Sequence, residues 1–208
     1  MNKKEWLLPL TGVVFIVLLI ASFIVGGEPP DADEGAAEIV EFYVDDKDSI
    51  MIGAYLSGLA AVFLVLFANY LRTLFQGTRA AATILVGAAI LAVAAAIDAT
   101  LLFAMAETAD DIEPESVQTL QALWDNDFVP FMVGMGTFLV SLGASILRTA
   151  VLPKWLGWVT VVLAVLALSP VGFFAFPLAG LLVLALSVWL TLRARRADRP
   201  PAGAVPPA

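Results

Sequence analysis

The chain reads as an all-α integral membrane protein, a polytopic bundle of six transmembrane helices with two short amphipathic helices on its outer side. Three observations predict this. Of 208 residues, 61% are hydrophobic and 14% are charged, and the mean hydropathy is +0.93. An ordinary soluble domain is about 45–50% apolar and about 25% charged. The apolar residues gather in six runs, and the charged residues sort by the loops between them. A spanning helix needs roughly 20 apolar residues.

The first run is Trp6–Gly26. Lys3 and Lys4 precede it, as they would a signal peptide. Its apolar stretch is longer than the usual core of about 7–15 residues, and no small-x-small cleavage site follows. It is expected to remain as a helix. The loop Glu28–Ile50 comes next, with nine acids. Within it, Ala36, Ile39, Val40 and Tyr43 recur at helical spacing behind Pro29, Pro30 and Asp31. That pattern predicts a short amphipathic helix.

The second and third runs are Met51–Phe75 and Ala80–Ala106. The loop Glu107–Asp127 holds seven acids. Pro114 followed by Val117, Leu120 and Trp124 predicts a second amphipathic helix there. The fourth run is Phe128–Thr149. The fifth, Leu152–Ser169, is short and its end is blurred by Pro170; the sixth is Val171–Leu192. The stretch Ser169–Pro177 has two further breakers beside Pro170, Gly172 and Pro177, and reads as the turn between runs five and six. A single re-entrant pair is the alternative there. Residues 1–193 thus form one transmembrane domain. Residues 194–208, proline-rich and small, are expected to be a flexible cytoplasmic tail.

Ten of the eleven bases fall on one side of this arrangement, and only Lys47 falls on the other. Basic loops stay cytoplasmic. Both termini are therefore expected inside a plasma (inner) membrane, with the two acidic loops outside. Trp6, Trp155, Trp158 and Trp189 fall near inner ends and Trp124 near the outer face, as interfacial belts do. The second and fourth runs both end in Leu-Arg-Thr, at Leu71–Thr73 and Leu147–Thr149. This echo suggests two parallel units, each an outer helix plus a hairpin, related by an axis along the membrane normal. The simpler reading is that arginine marks a cytoplasmic helix end.

Around Arg148, the run Leu152, Pro153, Lys154, Trp155, Leu156, Gly157 and Trp158 opens the fifth helix. With Glu38–Ile50 ahead of the second helix, this resembles an uncharacterised family of multi-pass bacterial and archaeal membrane proteins, common in actinobacteria. The resemblance implies six helices and a cell-membrane location. It carries no catalytic residue. Read physically, Pro153 suits a helix start, while Trp155 and Trp158, on one face, suit the interface. Arg148, Lys154, Trp155 and Trp158 are candidate lipid-headgroup contacts.

Cysteine and histidine are absent. That excludes disulfides, thiol nucleophiles, Ser-His-Asp triads and histidine-ligated haem. The net charge of −8 argues against nucleic acid as a partner. Asp98 is the one carboxylate inside an apolar run, and such residues are functional candidates by default. It lies about 27 Å along its helix, near the outer boundary. Water, Thr100 or a hydroxyl on another helix would satisfy it; a cation or proton site and a partner contact are the alternatives. Asp45, Asp46, Asp48, Asp125 and Asp127 precede the second and fourth helices and are candidate ligands for a divalent cation. A solvated acidic cap is the plainer account. Small residues such as Ala54, Gly58, Ser141 and Ser145, and the alanine-rich stretch Ala92–Ile97, predict close helix packing. No cofactor is implied and no acid–base pair stands out. The function read by exclusion is a non-enzymatic accessory or interaction subunit of the cell envelope, with the bilayer, a protein partner or a second copy as its contacts. A small-solute or cation transporter is the first alternative, and a membrane-embedded enzyme or lipid-binding protein is the second.

Overall fold

The computed structural model describes residues 5–149, 151–169 and 171–197; Lys3, Lys4, Pro170 and the tail beyond Ala197 lie outside them. Every regular element among the described residues is helical. A 3₁₀ segment, Glu5–Leu10, contains Pro9 and leads into α1 (Thr11–Gly26). Gly27, at φ +74°, ends α1 in a conformation that other residues rarely adopt. The two amphipathic helices form as expected, α2 at Ala36–Asp45 and α5 at Pro114–Asp125. Each starts from an extended residue, and Pro114 occupies the first position of α5, where its missing N–H costs nothing.

The six apolar runs become α1, α3 (Lys47–Leu74), α4 (Ala81–Thr108), α6 (Phe128–Arg148), α7 (Lys154–Ala167) and α8 (Ala175–Ala197). Five stretches are long and apolar enough to cross a membrane: Leu7–Gly26, α3, α4, the α5–α6 run and Ala175–Arg196. Helix α7 is not among them. Its 14 residues rise only about 21 Å, against a hydrocarbon core of about 30 Å. Helix α3 begins four residues before Met51, so Asp48 lies in its first turn. Helix α8 runs through Ala197, so the first residues read as tail are helical; Arg195 and Arg196 there favour a helix C-terminus.

The six helices close into a ring. Helix α1 packs on α3, α3 on α4, α4 on α6, α6 on α7, α7 on α8, and α8 back on α1. All six contribute to one interior cluster, centred on side chains such as Phe67, Phe138, Leu139, Leu142 and Leu186. The units α2–α3–α4 and α5–α6–α7 share one element order, and each places its hairpin on neighbouring ring positions. Helices α8 and α1 fill the gap between α7 and α3.

Glycines set the closest approaches. A Cβ on Gly53 would lie 2.7 Å from the Gly26 Cα, so α1 and α3 cross nearly backbone to backbone. A Cβ on Gly87 would lie 2.6 Å from the Phe138 Cα, which fixes the α4–α6 crossing in the same way. Gly58 differs from the close-packing expectation, because a Cβ there would meet nothing within 4 Å. The alanine-rich stretch differs too. Ala94 is buried, but Ala96 is exposed on the far side of the helix.

Helix α7 stops short of the acidic end, and the turn after it continues towards that end. Leu168, the C-cap of α7, packs against Gly136. Gly136 lies eight residues into α6, about 12 Å from its acidic end. Phe176, at the start of α8, meets Phe131 edge to face at 6.1 Å. The turn between them is internally bonded: Ser169 Oγ donates to Leu166 O at 2.7 Å, and the Gly172 N–H to Ser169 O at 2.9 Å.

Candidate functional site at the acidic end

Helices α2 and α5 come from loops separated by the whole α3–α4 hairpin, yet they pack on each other. Their apolar stripes meet in a second, separate core. Ile39, Tyr43 and Val117 are fully buried there with Ile50 and with Met105 and Ala106 near the end of α4. The sequence stripes at 39/43 and 117 therefore mark true core positions.

A polar chain runs through this core. The Tyr43 hydroxyl donates to Gln121 Oε1 at 2.6 Å, and both residues are fully buried. Gln121 Nε2 donates to Asp125 Oδ1 at 2.8 Å. The other oxygen of Asp125 accepts the Ala32 N–H at 2.9 Å. Gln118 Nε2 donates to the carbonyls of Ala32 and Glu34, both at 3.0 Å. The loop ahead of α2 is thus tied down by α5. Burial holds the Tyr43 hydroxyl well above the usual phenol range, and Asp125 and Asp98 add to the shift. Gln118 and Gln121 were not singled out in the sequence. The available signal was Gln121, which sits on the Val117–Trp124 stripe where an apolar residue is expected.

Asp98 sits at the base of this cap. It is half-buried, on the face of α4 that continues through Leu101, Leu102 and Met105 into the second core. The Trp124 indole Nε1 is buried, and Asp98 faces it closely enough to interact but outside hydrogen-bond geometry. Asp127 is the charged neighbour. Thr100 does not serve Asp98: its hydroxyl donates to Ala96 O at 2.6 Å.

The candidate cation ligands are divided. Asp45, Asp46 and Asp48 are exposed around the α2–α3 junction, whereas Asp125 is committed to Gln121 and Ala32. Among the described residues, no group of three or more carboxylates is placed to hold a metal ion. The remaining acids of both loops are mostly exposed. Glu34, packed among Glu38 and Asp31, has its carboxyl raised by lost hydration and by those neighbours. Lys47 pairs with Glu107 at 3.5 Å.

The opposite end is basic. Arg193 donates to Val151 O at 2.8 Å and lies over the Trp189 ring at 5.5 Å. The Thr78 and Ser145 hydroxyls pair at 3.2 Å, joining the α3–α4 turn to α6. In the Leu152–Trp158 run, Leu152 is buried and Gly157 packs on Leu147 and Ile146. Trp155 and Trp158 are 65% and 62% exposed on the outside of the bundle. Arg148 and Lys154 are exposed beside them. The chain matches no known protein family, no characterised protein and no solved structure.

Proposed function

We propose that this is a six-helix plasma-membrane protein with both termini in the cytoplasm, a non-enzymatic accessory subunit whose acidic outer cap docks a basic protein partner. One observation carries the reading. Two distant loops fold over a core of their own while Glu38, Glu41, Asp45, Glu113 and Glu115 remain exposed. A loop with no task beyond linking helices has no need of a second core. A folded, strongly negative surface suits electrostatic docking, where charge complementarity sets encounter rate and partner choice. The exposed tryptophans of the Leu152–Trp158 run suit a membrane interface. The basic ends of α3, α6 and α8 support the orientation. In this orientation α7 carries the chain outwards and α8, long and apolar enough to span, returns it to the cytoplasm.

The test neutralises the cap without touching its core. Glu38, Glu41, Glu113 and Glu115 are changed together to Gln, and cross-linking in intact cells reads the partner. Since all four side chains are exposed, the fold should persist and the cross-linked species should fall away. Cross-linking at the wild-type level would remove the docking role.

Asp98 favours a second reading, a cation path. It is a carboxylate within a span, facing Asp127 below an acidic mouth. Purified protein in liposomes decides between them. Cation flux that disappears in Asp98→Asn would establish transport and displace the accessory reading.

A further inference from the structure

The outer wall of the bundle carries a concavity that opens at the edge of the cap. A groove of about 680 Å³ runs between α3 and α4. Ala54, Gly58, Ala96 and Ala99 form its floor, and Tyr55, Leu59 and Phe103 its walls. Gly58, which contacts nothing across the helix interface, opens into it. Its threonine hydroxyls are already bonded within α4, Thr100 to Ala96 O and Thr108 to Ala104 O. The floor therefore offers hydrocarbon and no free donor.

Length and charge identify the occupant. The groove extends along α4 from Thr108 to Ala96, about 18 Å. That is close to one leaflet, half of a hydrocarbon core of about 30 Å. A neighbouring transmembrane helix would need the full depth, whereas an acyl chain needs this much. At the mouth, Glu107 lines the groove and pairs with Lys47, the base that stands apart from all others in the chain. Lys47 Nζ also approaches the Glu107 carbonyl at 3.5 Å. One positive and one negative group side by side complement a phosphate and an ammonium. The surrounding loop carboxylates repel a headgroup of net negative charge.

We infer that the α3–α4 groove binds one phospholipid of the acidic-side leaflet, an acyl chain in the groove and a zwitterionic headgroup on Lys47 and Glu107. The glutamates changed in the docking test lie outside this site, and no residue of α2 or α5 lines it, so the two readings fail separately.

The test uses full-length protein in mixed micelles with equal amounts of phosphatidylethanolamine and phosphatidylglycerol, and native mass spectrometry reads the retained lipid and the oligomeric state. Wild type should retain phosphatidylethanolamine by about threefold to fivefold over phosphatidylglycerol, the range an exposed ion pair provides. Gly58→Leu projects into open groove and should fold normally with that lipid lost. Lys47→Gln with Glu107→Gln leaves the groove intact and should keep a bound lipid but lose the preference. Equal retention of the two lipids by wild type would overturn the headgroup assignment. Unchanged retention in folded Gly58→Leu would overturn the groove assignment. A wild-type dimer that Gly58→Leu converts to monomer would show that a second copy occupies the groove.

Discussion

At the scale of single residues, the most constrained group is the Tyr43 hydroxyl. It has one partner, Gln121 Oε1, and no access to water. Removing the donor leaves a buried carbonyl unsatisfied, which costs about 1–3 kcal/mol. Tyr43→Phe should therefore lower the unfolding free energy of the cap by that amount at neutral pH. The pH response has a definite sign. Burial raises the phenol above its ordinary value of 10.0, so folding favours the neutral form. Its contribution is complete below pH 10 and is lost as pH rises beyond the unfolded value towards the folded one. Thermal unfolding between pH 8 and 12 should show wild type losing stability above about pH 10, while Tyr43→Phe lacks this component. A parallel decline in both proteins would mean that Tyr43 titrates as it would in water. Tyr43 was legible as a core residue from its spacing with Ile39. Its partner was not, because Gln121 is 78 positions away and nothing local relates the two.

At the scale of elements, glycines inside apolar helices have opposite roles. Gly53 and Gly87 hold helix crossings in which a neighbouring backbone occupies the space of a Cβ; Gly58 faces open groove. Gly87→Ala should destabilise by about 1–3 kcal/mol through overpacking. Gly58→Ala should stabilise by about 0.5–1 kcal/mol, because alanine loses less backbone freedom on entering a helix. Detergent melts of the two variants should move in opposite directions, and a shared direction would contradict the packing described here. The small-residue pattern marked α3, α4 and α6 as close-packing helices but could not say which residue faces which neighbour. The same limit applied to α7. Its apolar run and its shortness are visible in the sequence, but where it ends against α6 follows from the contact of Leu168 with Gly136. That contact carries a prediction of its own. The α7–α8 turn, with its internal hydrogen bonds and exposed Val171 and Phe174, suits hydrocarbon, where backbone groups must be satisfied internally. A cysteine at Val171 should resist a water-soluble thiol reagent that reacts readily at Asp110; equal rates would place the turn in water.

At the scale of the whole molecule, the two ends are built on opposite electrostatic principles. The acidic end is a folded surface with its own core, and its charge lies on residues that the core leaves exposed. At the basic end, the described arginines and the lysine stand at the ends of helices or in the turns between them. This division was fully legible in the sequence, since it depends on which loop holds a residue and not on how helices pack. The ring order was not legible, because six apolar helices of similar composition can be arranged in many ways; the glycine crossings choose among them. The orientation we propose rests on the charge division and on the retention of basic loops in the cytoplasm. It is testable at two positions in a chain with no native cysteine. In intact cells, a membrane-impermeant thiol reagent should label Asp110→Cys and leave Arg79→Cys unreacted until the membrane is permeabilised. Reversed labelling would turn the molecule over. The folded acidic cap would then face the cytoplasm, and its basic partner would have to be sought there.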